Sequence, residues 1–154
     1  MLAIRPVRPE DAPAVLALLH AAHAWNLANG FNFTAADITA EDLAPRLTPA
    51  HFFVAEQAGK LVGTIEVKPE KQGPDWGFHL LAVDPETKGG GVGRALVAFA
   101  EDLGRRMGAP RLILDTPETH PWLPAFYARL GYEPFRTDQW AGKRYRSVLM
   151  AKRL

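Results

Sequence analysis

The chain has 154 residues, a length typical of one domain with its own hydrophobic core. Its 18 basic and 17 acidic residues give a formal net charge of +1, so the composition favours no polyanion-binding surface and we expect no nucleic-acid partner. The sequence contains no cysteine, which excludes disulfides, a thiol nucleophile and thiolate metal ligands. No apolar run approaches membrane-spanning length, and we therefore expect one cytoplasmic domain over residues 1–154 that does not bind a membrane.

The first half of the sequence predicts an edge strand, two helices and a hairpin. In chain order these are a strand at 2–7, a helix at 9–23, a second helix from the Thr39 cap to about 47, and a hairpin of strands at 52–56 and 61–67. Pro6 favours an edge position for the first strand. His20 and His23 lie three residues apart on the first helix, where a solvated face is expected instead of a metal site because no third ligand converges with them.

The second half predicts alternating strands and helices around a glycine cluster. In chain order these are a strand at 76–83, the cluster at 88–94, a long helix at 92–107, a strand at 111–115, a short helix ending at 130, and strands at about 132–140 and 143–152. This order indicates a mixed α/β fold with one layered domain.

The glycine cluster Lys-Gly-Gly-Gly-Val-Gly-Arg at 88–94 lies between a strand and a helix. Unpaired backbone N–H groups and the positive end of the helix dipole meet at such a helix start, so it is a natural seat for a phosphate. A P-loop is excluded, because Arg94 and Ala95 follow Gly93 where Lys and Ser/Thr would be needed. A dinucleotide fingerprint gains support from Asp115, but its third glycine is absent and five residues separate strand from glycines. A simple glycine-rich helix cap is the structural alternative.

Two motifs resemble those of the GCN5-related N-acetyltransferases (GNAT). The stretch 81–96 is similar to the family's acetyl-CoA signature (Arg/Gln)-x-x-Gly-x-(Gly/Ala), with Lys88 at the Arg/Gln position and Gly91 and Gly93 at the glycines. The stretch 125–132, Ala-Phe-Tyr-Ala-Arg-Leu-Gly-Tyr, looks like the family's Phe-Tyr-x-x-x-Gly-Phe segment. The resemblance covers nearly the whole chain, and it implies a single N-acetyltransferase domain.

The resemblance implies a GNAT-like mixed α/β fold and a cofactor site. The expected sheet is largely antiparallel, with about seven strands flanked by about four helices, and is splayed between the fourth and fifth strands. Coenzyme A would rest its pyrophosphate on the glycine loop, while its pantetheine arm pairs with the edge of a bulged strand. The predicted cofactor-binding residues are Leu81, Ala82, Val83, Lys88, Gly89, Gly90, Gly91, Val92, Gly93, Arg94 and His120. His120 stands where the family often has an asparagine.

Transfer to an amine requires a general base, since an alkylamine with a pKa near 10 is mostly protonated at neutral pH. His79 on the strand at 76–83 is the first candidate; it matches one of two histidines of the aralkylamine acetyltransferases, and Gly77 replaces the other. Glu66 on the neighbouring strand is the second candidate. Tyr127 matches the family's general acid toward the departing thiolate. Structural roles, as a sheet-bonded histidine or a core tyrosine, are the alternatives.

The region between the first two helices shapes the acceptor site in this family. Its candidate substrate-binding residues are Trp25, Asn29, Phe31 and Phe33, with a contribution from Trp140. We therefore expect acetyl transfer from acetyl-CoA to a primary amine by direct attack in a ternary complex, because no cysteine is present to carry the acyl group. No metal is expected, and homodimers are common in the family. The second hypothesis is an acyl-CoA-binding sensor or partner module that lacks catalysis.

Overall fold

Seven strands and six α-helices make up the part of the chain that the computed structural model describes, residues 1–87 and 89–154. The strands are β1 (Ala3–Pro6), β2 (Phe52–Gln57), β3 (Lys60–Pro69), β4 (Trp76–Val83), β5 (Arg111–Pro117), β6 (Glu133–Asp138) and β7 (Ser147–Arg153). The helices are α1 (Ala12–Ala22), α2 (Ala24–Ala28), α3 (Thr34–Asp37), α4 (Ala40–Leu43), α5 (Val92–Arg106) and α6 (Leu123–Arg129). Single 3₁₀ turns cover Pro9–Asp11, Ala44–Arg46 and Pro85–Thr87. No helix in these ranges is long and apolar enough to cross a membrane.

The strands form one sheet in the order β1-β2-β3-β4-β5-β7-β6. All neighbours are antiparallel except β4 and β5, which run parallel. These two strands pair at only two positions, Trp76 with Leu112 and Gly77 with Ile113. Beyond them the sheet opens, so the predicted splay between the fourth and fifth strands is confirmed. The edge position of β1 and the largely antiparallel seven-stranded sheet of a mixed α/β fold are confirmed as well.

The hairpin of β2 and β3 follows from its turn residues. Ala58 and Gly59 both have positive φ values, 52° and 76°, as the two central residues of a tight hairpin turn require. The Thr39 cap is also found, because its hydroxyl accepts a hydrogen bond from the Asp42 N–H at the start of α4.

The structure differs from the predicted elements in three places. The segment after α1 is broken into short helices, with Gly30 at a φ of 87°, so the described chain has six α-helices where about four were expected. β5 continues two residues further, to Pro117, because Ser147 of β7 pairs there. The last two strands are shorter than predicted, since residues 139–146 form a loop that includes Gly142 at a φ of 80°.

Two hydrophobic clusters cover the two faces of the sheet. On one face the apolar side of α5 packs on the sheet, with Leu96 and Leu112 fully buried. On the other face α1 and the short helices cover it, with Val15 and Leu19 fully buried. The open V between β4 and β5 therefore lies between two anchored layers, and that position determines where a ligand can enter.

Candidate active site

A β-bulge in β4 shapes the wall of the open V. His79 pairs with Glu66 and Ala82 with Thr64, so Leu80 and Leu81 together oppose one residue of β3, Ile65. Leu80 takes a φ of 52°, in the left-handed region that costs a residue with a side chain about 1–2 kcal/mol. The Thr64 hydroxyl donates to the Leu80 carbonyl oxygen at 2.9 Å, which holds the bulge in place. The bulge directs the second half of β4 away from β5.

A cavity of about 990 Å³ fills the opening. This volume lies at the upper end of the range of small-molecule sites, about 300–1,000 Å³. One end is bounded by the glycine loop and the start of α5; the other is bounded by α2, α3 and the loop between β6 and β7. Its walls include Arg46, Asp115, Thr116 and Tyr145, in addition to most of the residues predicted from the sequence.

The glycine loop presents an open backbone at the N-terminus of α5. Gly89 and Gly91 have φ values of 83° and 76°, and a Cβ atom placed on either would meet no described atom within 4 Å. Gly91 is the N-cap of α5, whose first N–H groups have no partner inside the helix. Such a concave backbone with positive φ glycines at a 15-residue helix fits a pyrophosphate. Lys88, predicted to belong to this site, lies outside the described residues.

The entrance to the loop is fixed by Asp84. Its carboxylate accepts the Glu86 N–H at 2.9 Å and forms an ion pair with Lys60 at 3.0 Å. The hydrogen bond from Glu86 and the charge of Lys60 hold the pKa of Asp84 below its usual value. These contacts hold the first residues after β4 in place at the approach to the glycine loop.

Of the other predicted cofactor residues, all that the structure describes except Gly90 line the cavity. A Cβ atom on Gly90 would lie 3.2 Å from the Thr87 carbonyl oxygen, on the side turned into the loop. Leu81 and Val83, the predicted partners of the pantetheine arm, are both on the wall. The carbonyl of Leu81 is already engaged, however, since it lies 3.0 Å from Nε2 of His23.

His23, Asn26 and His120 form a buried chain of hydrogen bonds across the cavity floor. His120 Nδ1 accepts the backbone N–H groups of Trp122 and Leu123, both at 3.3 Å, so its Nε2 carries the proton and donates to Asn26 Oδ1 at 2.7 Å. The amide of Asn26 in turn donates to His23 Nδ1 at 3.0 Å, and His23 Nε2 donates to Leu81. Each of these hydrogen bonds has one donor and one acceptor when both imidazoles are neutral. Burial lowers the pKa of His23. The pKa of His120 is lowered mainly by burial and to a smaller extent by the charge of His23.

The expectation of a solvated helix face at His20 and His23 is wrong for His23. α1 ends at Ala22, and the His23 ring turns inward as the cap, leaving 8% of the residue exposed. His20 lies with Nε2 2.8 Å from the carbonyl oxygen of Ile38, so it too has a protein partner. Among the described residues no group of three or more His, Asp or Glu side chains converges on a metal position.

The candidate base His79 lies on the cavity wall beside a carboxylate. Its Nε2 is 3.5 Å from Oε2 of Glu70. The Glu70 carboxylate occupies space that Gly77 leaves open, because a Cβ atom on Gly77 would lie 2.6 Å from the same oxygen. The absence of the family's second histidine thus has a structural counterpart: a glutamate partners His79 instead.

Glu66, the second candidate base, does not line the cavity. It is 2% exposed, and both its oxygens accept from the Arg46 guanidinium, at 2.5 and 3.1 Å. Burial acts to raise the pKa of Glu66, but Arg46 and Lys68 outweigh it, and the pKa lies below the usual value. A carboxylate held in this ion pair has little affinity for a proton.

Tyr127 lies on α6 with its ring between Phe78 and Phe126, at centroid distances of 5.9 and 5.2 Å. It is 6% exposed and reaches the cavity wall between β4 and β5. Burial, together with the negative charge of Asp115, raises the pKa of the phenol above its usual range. The hydroxyl is therefore protonated at neutral pH and can donate a hydrogen bond into the cavity.

Asp115 is the site residue that sequence reasoning assigned to the wrong context. The sequence pattern connects it only with a ribose-binding acid, whereas in the structure it lines the cavity where β5 diverges from β4. Burial raises the pKa of its carboxyl, and the nearby charge of His79 opposes that shift. The available signal was an acidic residue directly after the apolar run 112–114 of this strand.

The predicted acceptor residues divide into two groups. Trp25 and Phe33 line the cavity, while Phe31 stacks behind them, 5.0 Å from the His120 ring, and Asn29 donates to the Trp25 carbonyl at 2.8 Å. Trp140 lines the cavity as expected. Aromatic residues that the sequence analysis did not assign to the acceptor site, Trp122 and Tyr145, complete the wall.

Comparison with known proteins identifies the family. Residues 18–132 match the model of the acetyltransferase (GNAT) family. The chain is 31% identical over 129 residues to the mycothiol acetyltransferase of Streptomyces coelicolor, covering 84% of this chain and 41% of that protein. It is 30% identical over 132 residues to the S-(2-succino)cysteine N-acetyltransferase of Bacillus subtilis, covering 81% and 79%.

The chain thus spans less than half the length of the mycothiol acetyltransferase it matches. Among solved structures, the PaiA N-acetyltransferase from Thermoplasma acidophilum in complex with coenzyme A superimposes with a TM-score of 0.83 at 19% identity, over 100% of this chain and 99% of that one. This likeness supports the fold alone, and the sequence matches support the family. The chain belongs to the GNAT family of acetyltransferases.

Proposed function

We propose that this protein is an N-acetyltransferase that moves the acetyl group of acetyl-CoA to the amine of a small molecule by direct attack in a ternary complex. The observation that carries this proposal is the continuity of one cavity, which joins the open N-terminus of α5, the bulged edge of β4, Tyr127 and an aromatic compartment. The Bacillus subtilis relative, which this chain covers over most of its length, is named for a small amine. Its name favours a small-molecule acceptor over a protein one.

The chain's own residues divide the work of binding between backbone and side chains. The N–H groups at Gly91–Arg94 would hold the pyrophosphate, and Arg94 adds a positive charge on the cavity wall. The edge of β4 at Leu81 and Val83 would hold the pantetheine arm. Bound acetyl-CoA would supply the acetyl group as a thioester. The amine would lose one proton and gain the acetyl group, and the sulfur would depart as the thiol of coenzyme A.

His79 is the proposed proton acceptor. It lines the cavity, its Nε2 lies 3.5 Å from the Glu70 carboxylate, and it is close enough to Asp115 for their charges to interact. Glu70 would stabilise the imidazolium that forms when His79 takes the amine proton. Glu66 remains the second candidate, and its burial in the Arg46 ion pair argues against it.

Tyr127 is the proposed proton donor to the departing sulfur. Tyr127 lines the cavity, and its raised pKa keeps the proton on the phenol until a thiolate develops. A positioned donor of this kind contributes about 10²–10⁴ to a rate.

Release of free thiol from acetyl-CoA, measured against a broad panel of primary amines, tests the proposal. We expect amine-dependent release together with the acetylated amine. Tight binding of acetyl-CoA with no turnover for any amine would instead support the sensor or partner module that is the alternative. Two variants test the base: His79→Gln should lower kcat strongly, whereas the conservative change Glu66→Gln should leave kcat much less affected. The cytoplasmic location and the homodimer stay predictions.

A further inference from the structure

The acceptor end of the cavity contains two opposite charges that do not touch each other. Asp115 is the one acidic residue among the described residues of the wall. Lys143, from the loop between β6 and β7, faces the same space. In the described part of the chain neither residue forms an ion pair within 4.0 Å. A ligand that carries both charges would span the gap between them.

Lys143 is held in position by neutral groups. Its ammonium donates to the Asn32 carbonyl at 2.8 Å and to the Thr34 hydroxyl at 3.0 Å, which leaves a third N–H for another acceptor. Asn32 fixes the same loop from its side chain, since it donates to the Gly142 carbonyl and accepts the Arg144 N–H, each at 2.9 Å. The ammonium is thus oriented by the fold and not by a counter-ion.

The two arginines that line the cavity are not available to a ligand at this end. Arg46 donates twice to the buried Glu66 carboxylate, and Arg94 is part of the first turn of α5 at the opposite end of the cavity. Burial lowers the pKa of the Lys143 ammonium and raises that of the Asp115 carboxyl, although each acts on the other in the opposite direction. Asp115 is exposed toward the cavity and Lys143 is half-buried, so an ammonium beside Asp115 and a carboxylate beside Lys143 would each meet an opposite charge.

Aromatic surface fills the rest of this end. Trp25, Trp122 and Trp140 are 45%, 46% and 38% exposed, and all three line this one cavity. Phe33 and Tyr145 extend the wall, with their ring centroids 5.8 Å apart. Large apolar side chains exposed together in a concave site indicate an apolar ligand group.

We propose that the acceptor is a zwitterionic α-amino acid with a large apolar or aromatic side chain. Its ammonium binds Asp115, its carboxylate binds Lys143, and its side chain packs on the tryptophan wall. This assignment rests on the proposed acetyl transfer and specifies its substrate class. Asp115, His79 and Tyr127 all line the same cavity, so an amine held by Asp115 shares that space with the proposed proton acceptor and donor.

Matched acceptors test the inference by thiol release from acetyl-CoA. L-Phenylalanine and S-benzyl-L-cysteine carry both charges and the apolar group; 2-phenylethylamine and L-phenylalaninamide lack the carboxylate; glycine lacks the side chain. Because a charge-assisted hydrogen bond is lost with the carboxylate, we expect kcat/KM for phenylalanine to exceed that for 2-phenylethylamine about 10- to 100-fold. Lys143→Met should reduce this ratio to near one, and Lys143→Arg should restore part of it. Lys71→Met, at an exposed position outside the cavity wall, is the matched control.

Equilibrium binding separates this inference from the proposed function. With coenzyme A present, L-phenylalanine should raise the Tm of the wild-type protein and of Lys71→Met, and should not raise that of Lys143→Met or Asp115→Asn. Binding in this pattern without turnover would support the zwitterion site while refuting acetyl transfer. Equal turnover of phenylalanine and phenylalaninamide, or equal stabilisation of wild type and Lys143→Met, would overturn the zwitterion site and leave acetyl transfer intact.

Discussion

Asn26 should be the most sensitive side chain of the cavity floor, and Asn26→Ala is the change that tests this. Its amide connects the rings of His23 and His120, all three residues being at most 8% exposed. Removing the amide leaves His23 Nδ1 without a donor and the His120 Nε2–H without an acceptor. The free energy of unfolding should fall because two buried polar groups lose their partners together.

The size of the effect follows from the number of groups left unpaired. Each buried polar group without a partner costs about 1–3 kcal/mol, so Asn26→Ala should cost about 2–6 kcal/mol. For a domain of this size 1 kcal/mol shifts the Tm by about 2–4 °C, so a cost of about 2–6 kcal/mol should lower the Tm by about 4–24 °C. Asn29→Ala is the matched control: the same residue type, three positions further on, whose amide makes one exposed hydrogen bond to the Trp25 carbonyl. A surface change of this kind costs about 0.5 kcal/mol or less.

The same network predicts how stability depends on pH. Burial depresses the pKa values of His23 and His120 below the ordinary 6.5, so the unfolded chain binds more protons than the folded one once the pH falls below that value. The stability of the folded protein is therefore highest above pH 6.5 and decreases as the pH falls from there toward the depressed values. Thermal unfolding of wild type, Asn26→Ala and Asn29→Ala between pH 8 and 5 measures both effects. If the two alanine variants unfold within about 2 °C of each other at pH 8, the network does not carry the energy assigned to it.

Three further changes probe other parts of the structure. Tyr127→Phe should lower kcat about 100-fold or more, because the phenol donates its proton to the leaving sulfur. Calorimetry should show an unchanged Kd for coenzyme A. An unchanged kcat would exclude the acid role. Gly91→Ala should lower the free energy of unfolding by about 1–2 kcal/mol, because its φ of 76° strains any residue with a side chain even though the added Cβ would meet no described atom. The variant should also bind coenzyme A more weakly. Equal coenzyme A affinity in variant and wild type would argue against the loop as the pyrophosphate-binding site. Tyr132→Phe should cost about 1–3 kcal/mol in chemical denaturation, because the phenol donates at 2.8 Å to the buried Glu101 carboxylate. A cost below 0.5 kcal/mol, roughly that of a surface change, would show that the ion pairs with Lys152 and Arg105 satisfy the carboxylate without the phenol.

The sequence predicted the fold well because the decisive signals are local. The Ala58-Gly59 turn, the Thr39 cap and the alternation of strands each arise from neighbouring residues. The glycine loop likewise carries its own information, since positive φ angles such as those at Gly89 and Gly91 favour glycine.

The acceptor site was less predictable because it is assembled from distant segments. The bond between His120 and Asn26 joins residues 94 positions apart, and that from Lys143 to Asn32 joins residues 111 apart. Asp115 stands out only once the sheet splays beside it, and the carboxylate of Glu70 reaches His79 only because Gly77 has no side chain. No periodicity or motif in the sequence predicts these contacts between distant residues.

The most direct test of the central claim is to follow both products of one reaction, the thiol and the acetylated amine. Acetyl-CoA incubated with the protein alone should release no thiol and leave the protein mass unchanged, whereas adding L-phenylalanine should release one thiol for each N-acetylated product found by mass spectrometry. Thiol release without acetylated amine, or an acetylated protein formed before the amine is added, would contradict direct transfer in this cavity.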